Sequence, residues 1–261
     1  MSDRADAIAR EIMRQHEAGE RYRNLPDPLG PRDMEEAYAA QFRLHELHEA
    51  GGRGPLGGRK IALASAVQQR LCGVDHPIAG GIFAAEIVES PATIRLADHH
   101  GLGLEFELAV TLGEDVAPGD GPLDAAGARA KAAAIRPAFE LIIDRGADYG
   151  DLDARTMAAD NAWCAGVVLG PEIEGWRDMD VEGTPVALLW NDEPAVAAKV
   201  GDADPFGSLA WVANVLTSAG RTIRAGEVVI TGSVIKTRAP KAGDRVRYRI
   251  GNLAEVTTEV V

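Results

Sequence analysis

Cysteine is nearly absent: Cys72 and Cys164 are the only two in 261 residues. They lie far apart, with no CxxC spacing and no histidine at a ligand-like interval, so neither a disulfide framework nor a zinc site is indicated. Both read as small buried hydrophobes. Long apolar runs are missing too. No stretch reaches the roughly 18 apolar residues a membrane helix needs, and Met1-Ser2-Asp3-Arg4-Ala5-Asp6 contains no apolar core of a signal peptide. The expectation is a cytoplasmic chain with no membrane partner. Bases are in deficit, 27 Lys and Arg against 40 Asp and Glu for a formal charge of −13. With no basic run to offset that field, a nucleic-acid partner is not expected. No GxSxG occurs, and the six histidines suggest no nucleophilic triad by themselves. Internal repeats and low-complexity tracts are also missing.

What remains is ordinary globular material, 46% hydrophobic and 26% charged. The length allows one core and a smaller helical appendage. Periodicity predicts helices over Ala5–Glu20 and Pro31–Ala50, separated by Leu25-Pro26-Asp27-Pro28-Leu29-Gly30. A glycine-rich link, 51–58, leads to a strand at Lys60–Leu63 and a short helix at Ser65–Leu71. Strands are then predicted over 82–88, 93–96, 102–112, 135–143, 162–169, 185–190, 195–200, 228–231, 245–250 and 256–261, with helices over 123–134 and 206–219. Many strands in irregular order with few crossover helices predict an α+β fold, not a doubly wound sheet. The expected division is an N-terminal helical part, 1–75, and a β-rich domain, 76–261.

Gly52-Arg53-Gly54-Pro55-Leu56-Gly57 spells GxGxxG but follows a helix and contains a proline where backbone donors are wanted, so it reads as a linker. The informative segment is Leu102-Gly103-Leu104-Glu105-Phe106-Glu107-Leu108-Ala109-Val110. In a strand its leucines, Phe106 and Val110 face one way, and Glu105 and Glu107 face the other, about 7 Å apart. A third acid, Glu140, interrupts the apolar run 135–143, where an unpaired carboxylate is costly. Carboxylates without histidine or cysteine suit Mg²⁺ or Mn²⁺, and a solvated strand face is the plain alternative. Lys60 is either a buried cation near these acids or a surface lysine. Asp160-Asn161 either positions a ligand or caps a turn.

Taken in order, several segments resemble the 2-oxopent-4-enoate hydratase and 4-oxalocrotonate decarboxylase group of the fumarylacetoacetate hydrolase superfamily. They are Gly58-Arg59-Lys60-Ile61-Ala62-Leu63-Ala64-Ser65, Gly73-Val74-Asp75-His76-Pro77, Leu104-Glu105-Phe106-Glu107, Pro137-Ala138-Phe139-Glu140-Leu141-Ile142, Ala159-Asp160-Asn161-Ala162, Leu209-Ala210-Trp211-Val212-Ala213-Asn214 and Ile230-Thr231-Gly232-Ser233. The resemblance spans nearly the whole chain. It implies a mixed β-roll of the family's C-terminal type with an N-terminal helical part, assembled as a homo-oligomer. It also implies a divalent metal, Mg²⁺ or Mn²⁺, on Glu105, Glu107 and Glu140, and a small 2-oxo acid contacted by Lys60, Ser65, Asp160 and Ser233. Lys60, Glu105 and Glu140 are the implied catalytic groups. The implied activity is hydration of a 2-hydroxy-2,4-dienoate, as in meta-cleavage aromatic catabolism. A 4-oxalocrotonate-type decarboxylase is the alternative, then an acylpyruvate hydrolase using His45 or His48, then a non-catalytic binding protein. Three departures stand out: Ala62 replaces a family glycine, Ala203-Asp204-Pro205 lacks a histidine, and Ile78 stands where many of the hydratases carry aspartate and the decarboxylases carry isoleucine.

Overall fold

The computed structural model describes residues 3–261; Met1 and Ser2, which open the segment read above for a leader, lie outside the described residues. Two helices come first, α1 (Asp3–Glu17) and α2 (Met34–His48). Then follow β1 (Leu56–Ala62), α3 (Ala66–Leu71), β2 (Ile78–Phe83), β3 (Ile87–Glu89), β4 (Ala92–Ile94), β5 (Leu102–Leu112), α4 (Ala125–Lys131), β6 (Ala132–Ile143), α5 (Ala154–Ala159), β7 (Cys164–Leu169), β8 (Pro185–Trp190), β9 (Val196–Lys199), α6 (Pro205–Ser218), β10 (Val228–Ile230), β11 (Ile235–Arg238), β12 (Arg245–Ile250) and β13 (Ala254–Val260). Local chemistry sets several of these boundaries. Helix α2 starts at Met34, not Pro31, because the Asp33 side chain accepts the Glu36 N–H and so fixes the cap. Helix α3 is only six residues long and is held by a reciprocal cap between Ser65 and Gln68.

The strands form two mixed sheets, as an α+β fold requires. In the larger, the order is β2-β1-β10-β5-β6-β7-β3, with β11 pairing β5. Strands β2 and β3 are consecutive in the chain and joined by the single turn Ala84–Glu86, yet they lie at opposite ends of that order. The sheet must therefore curl until its ends approach, and this splits the strand predicted over 82–88. Strand β1, although it falls in the segment assigned to the helical part, runs inside this sheet between β2 and β10. The smaller sheet, β4-β13-β12-β8-β9, lies against the outer face of β5 and β6. Phe106 is the joint: its ring centroid lies 6.0 Å from Phe139, 6.4 Å from Trp190 and 6.0 Å from Tyr248. Aromatic burial of this kind stabilises by several kcal/mol (about 3–5 for a buried phenylalanine), and it commits the opposite face of β5 to the inside of the curl.

A second core joins α1, α2 and α5 through Ile8, Ile12, Leu44, Met157 and Ile78. No helix among the described residues is long and apolar enough to cross a membrane.

Candidate active site

The antiparallel register of β5 and β6 sets Glu105 directly opposite Glu140 and Glu107 opposite Ala138. Residues opposite one another share a face, so all three carboxylates enter one space, with a ligand oxygen from each within 4.8 Å of the others. Glu107 and Glu140 are 0% exposed and Glu105 is half-buried. Glu107 Oε2 accepts the Gly232 N–H at 2.7 Å. Gly232 can present that N–H because its φ of +104° is open to glycine. Thr237 donates to Glu105 Oε1 at 2.5 Å. Lys60 is 1% exposed; its ammonium lies 2.7 Å from Glu140 Oε1, off-line for a hydrogen bond, and donates to the Ala162 carbonyl at 2.9 Å.

Glu107 Oε1 and Glu140 Oε2 have no hydrogen-bond partner at all. Buried acceptors are rarely left so, and three carboxylates, two of them fully buried, face only one ammonium. Both observations fit a divalent cation. The titration shifts point the same way: burial drives the Glu107 carboxyl well above the usual carboxylate range, with Glu140 and Glu105 adding to the effect. Burial pushes Glu140 up to about 7 against the pull of Lys60. Burial opposes the charge on Lys60, but Glu140, Cys164 and Glu105 outweigh it, so the ammonium stays charged.

This cluster opens on a cavity of about 1100 Å³. Lys60 and Glu105 reach it, as do Ser65 and Ser233. The Ser233 hydroxyl is spent on backbone, accepting Phe106 N–H and donating to the Ile235 carbonyl, each at 2.8 Å. The Ser65 hydroxyl serves the α3 cap. Pro77 lines the cavity, whereas Ile78 is packed at 0% exposure in the N-terminal core. Residues that sequence reasoning missed include Asp144, Tyr149, Trp163 and Thr237. Tyr149 donates to Asp144 at 3.1 Å. Thr237 was hidden because β11, polar and four residues long, has too little pattern to be read as a strand.

Asp160 is held by Arg145 and His16, and lines a separate cavity of about 280 Å³ with His45, His48 and Arg53. Between the two cavities runs a turn in which Asn161, Ala162 and Trp163 all have positive φ, +56°, +50° and +61°. For residues with a Cβ, such conformations cost about 1–3 kcal/mol each. His45 and His48 thus stand behind this turn and not at the carboxylates. Burial pushes the His45 imidazole down to about 3 and His48 down to about 4, against the usual 6.5. Below pH 6.5 the unfolded chain takes up a proton that folded His45 refuses, so stability is present above that pH and is lost as the pH falls. By pH 5 the loss from His45 alone is about 2 kcal/mol. Denaturation at pH 7 and pH 5 should show His45→Gln shrinking the pH difference by that amount; an unchanged difference would contradict the assignment.

A curled mixed sheet with a buried carboxylate triad and a buried lysine at the floor of a large cavity defines an α+β enzyme suited to a divalent cation. Within that class the chain belongs to the fumarylacetoacetate hydrolase family: residues 81–261 match the family described as Fumarylacetoacetate (FAA) hydrolase C-terminal. The chain is 29% identical to the 2-keto-4-pentenoate hydratase of Paraburkholderia xenovorans over 97% of its length and 94% of the relative's. It is 33% identical to the TodF product hydratase of Pseudomonas putida, over 90% of this chain and 86% of that one. Its fold matches the 4-oxalocrotonate decarboxylase of Pseudomonas putida G7, complexed with magnesium and adipate, with a TM-score of 0.88 at 22% identity, covering 98% and 97% of the two chains. The full-length resemblance read from the sequence is borne out.

Proposed function

We propose that the protein is a Mg²⁺-dependent hydratase that converts a 2-hydroxy-2,4-dienoate into a 4-hydroxy-2-oxo acid, as in meta-cleavage catabolism of aromatic compounds. The observation that carries this reading is the triad and Lys60 at one side of a cavity that also presents apolar side chains and three further aspartates. The hydratase relatives and the magnesium complex of the structural neighbour support it.

Glu105, Glu107 and Glu140 would hold the cation, which when bound supplies Lewis acidity to the oxygens of a 2-oxo acid. Lys60 has three N–H donors: one goes to the Ala162 carbonyl while the ammonium stays ion-paired to Glu140, which leaves donors for the substrate carboxylate or for negative charge developing on its 2-oxygen. Glu105, half-buried and facing the cavity, would orient or deprotonate the attacking water, with Glu140 the second candidate. Leu152, Met157, Trp163 and Trp211 give the diene an apolar bed. Asp144, Asp202 and Asp204 line the cavity beside Glu105, against only Lys60 and Lys236 among the described residues. A tail bearing a second carboxylate is therefore disfavoured.

The second reading, decarboxylation, draws on Ile78: no acid stands at that position to deliver a proton. Supplying Mg²⁺-loaded protein with 2-hydroxypenta-2,4-dienoate and, separately, 2-oxohex-3-enedioate distinguishes the two. Loss of dienol absorbance from the first without CO₂ is the expected result. CO₂ from the second, with the first untouched, would replace hydration by decarboxylation.

A further inference from the structure

We propose that Asn161 is a positioning residue: its side chain pins the left-handed turn so that the Ala162 carbonyl holds the Lys60 ammonium in place at the carboxylate cluster. This deepens the reading above, because it takes Lys60 to be the group that meets the 2-oxo acid.

Lys60 has a long flexible stem and a rotatable head, so the N–H donors it turns to the cavity have a fixed direction only if its other contacts are fixed. Two neighbours do this, Glu140 Oε1 at 2.7 Å and the Ala162 carbonyl at 2.9 Å. Without the second, the ammonium would settle wholly on Glu140, a cation ligand in the scheme above, and compete for it. The Ala162 carbonyl faces Lys60 because residues 161–163 run left-handed, which alanine and tryptophan do not do unaided.

Asn161 supplies the constraint. Its Oδ1 accepts the Gly81 N–H at 2.6 Å, and its Nδ2 donates to the Gly81 carbonyl at 2.9 Å, so the amide docks on β2 as another strand would. With Oδ1 fixed as an acceptor, His45 must donate to it from Nε2, at 2.7 Å, and that sets the imidazole tautomer. Gln41 of α2 ties the incoming chain to the same strand, donating to Ala158 at 2.6 Å and Ala79 at 2.8 Å. Gly80 completes the fit: a Cβ there would lie 2.8 Å from the Asn161 carbonyl oxygen and 3.0 Å from Lys60 Cδ. Helix α2 thus reaches the lysine through His45 and Asn161.

The test is a double-mutant cycle with Asn161→Ala and Asn161→Gly, each alone and combined with Lys60→Met. Its readouts are kcat/KM on 2-hydroxypenta-2,4-dienoate, pyruvate affinity of the Mg²⁺-loaded protein, and Tm without metal. Displacing an aligned group by about 1 Å can cost about a hundredfold, so each single variant should lose about that much in kcat/KM. Asn161→Gly keeps access to positive φ and should still lose activity, because the clamp is the side chain. With Lys60→Met present, either Asn161 change should cost less than about threefold. Equal losses in both backgrounds, or full activity in Asn161→Gly, would overturn the proposal, since a merely structural role lowers Tm and activity alike whatever occupies position 60. If the parent binds pyruvate but turns nothing over, the hydratase reading fails, and the cycle measured on pyruvate affinity still decides the role of Asn161. If it neither turns over nor binds pyruvate, both are overturned.

Discussion

Glu107→Gln is expected to weaken Mg²⁺ binding by more than about a hundredfold, because even groups that only steady a metal ligand cost about 10–100-fold when lost, and turnover should fall at least as far. The substitution keeps the shape but removes one charge. The Gly232 N–H requires an oxygen facing it, so the new amide must turn its NH₂ toward the cation position, where it repels a cation and donates to Glu140. The same change should stabilise the metal-free protein. Burial, with Glu140 and Glu105 adding to it, drives the Glu107 carboxyl far above the carboxylate range, so folding at pH 8 must either protonate it or bury its charge, and both cost stability. Replacing a buried charge by a neutral group of like size is commonly neutral or worth about 1–4 kcal/mol of stability. Thermal melts at pH 8 should therefore show a higher Tm without metal and almost no further rise on adding Mg²⁺, whereas the parent starts lower and rises. A variant that still gains Tm from Mg²⁺ as the parent does would sink the ligand assignment.

Lys60→Met should act in the opposite direction on stability. It leaves Glu140 buried with no cation partner, and removing one member of such a pair costs about 3–5 kcal/mol. The Glu140 carboxyl, already at about 7 beside Lys60, moves higher without it. A folded-state carboxyl raised above its unfolded value contributes stability that is lost as pH rises, so the variant's deficit should grow from pH 6 to pH 9. In kcat/KM the loss of one charged donor aimed at developing negative charge should cost about 10²–10³-fold. The two substitutions thus separate ligand from donor: one raises the metal-free Tm and weakens metal binding, and the other lowers Tm while leaving all three carboxylates. Equal pH dependence of the Lys60→Met variant and the parent would contradict the pairing with Glu140.

How much of this was legible follows from how local each signal is. Alternation along β5 is a period-two pattern, so the facing of Glu105 and Glu107 against Phe106 could be read directly and is what the structure shows. Glu140 stood out as a charge in an apolar run, but its pairing with Glu105 depends on register between two strands, which neither strand encodes alone. Helix α5 was missed because six residues hold less than two turns; its only signal was Asp153, whose side chain caps Arg155 and Thr156. The expected strand at 162–169 begins at Cys164 because Ala162 and Trp163 belong to the left-handed turn, and only an asparagine at its start hints at positive φ. Sequence alone leaves the burial of Lys60 open, because it comes from β1 lying inside the curled sheet between β2 and β10.

The most direct test is to locate the cation. Crystals grown with Mn²⁺ and measured at the manganese absorption edge should show one anomalous peak per chain, about 2.0–2.2 Å from an oxygen of each of Glu105, Glu107 and Glu140. A peak elsewhere, or none at a concentration that supports turnover, would contradict the claim that these three carboxylates form the metal centre.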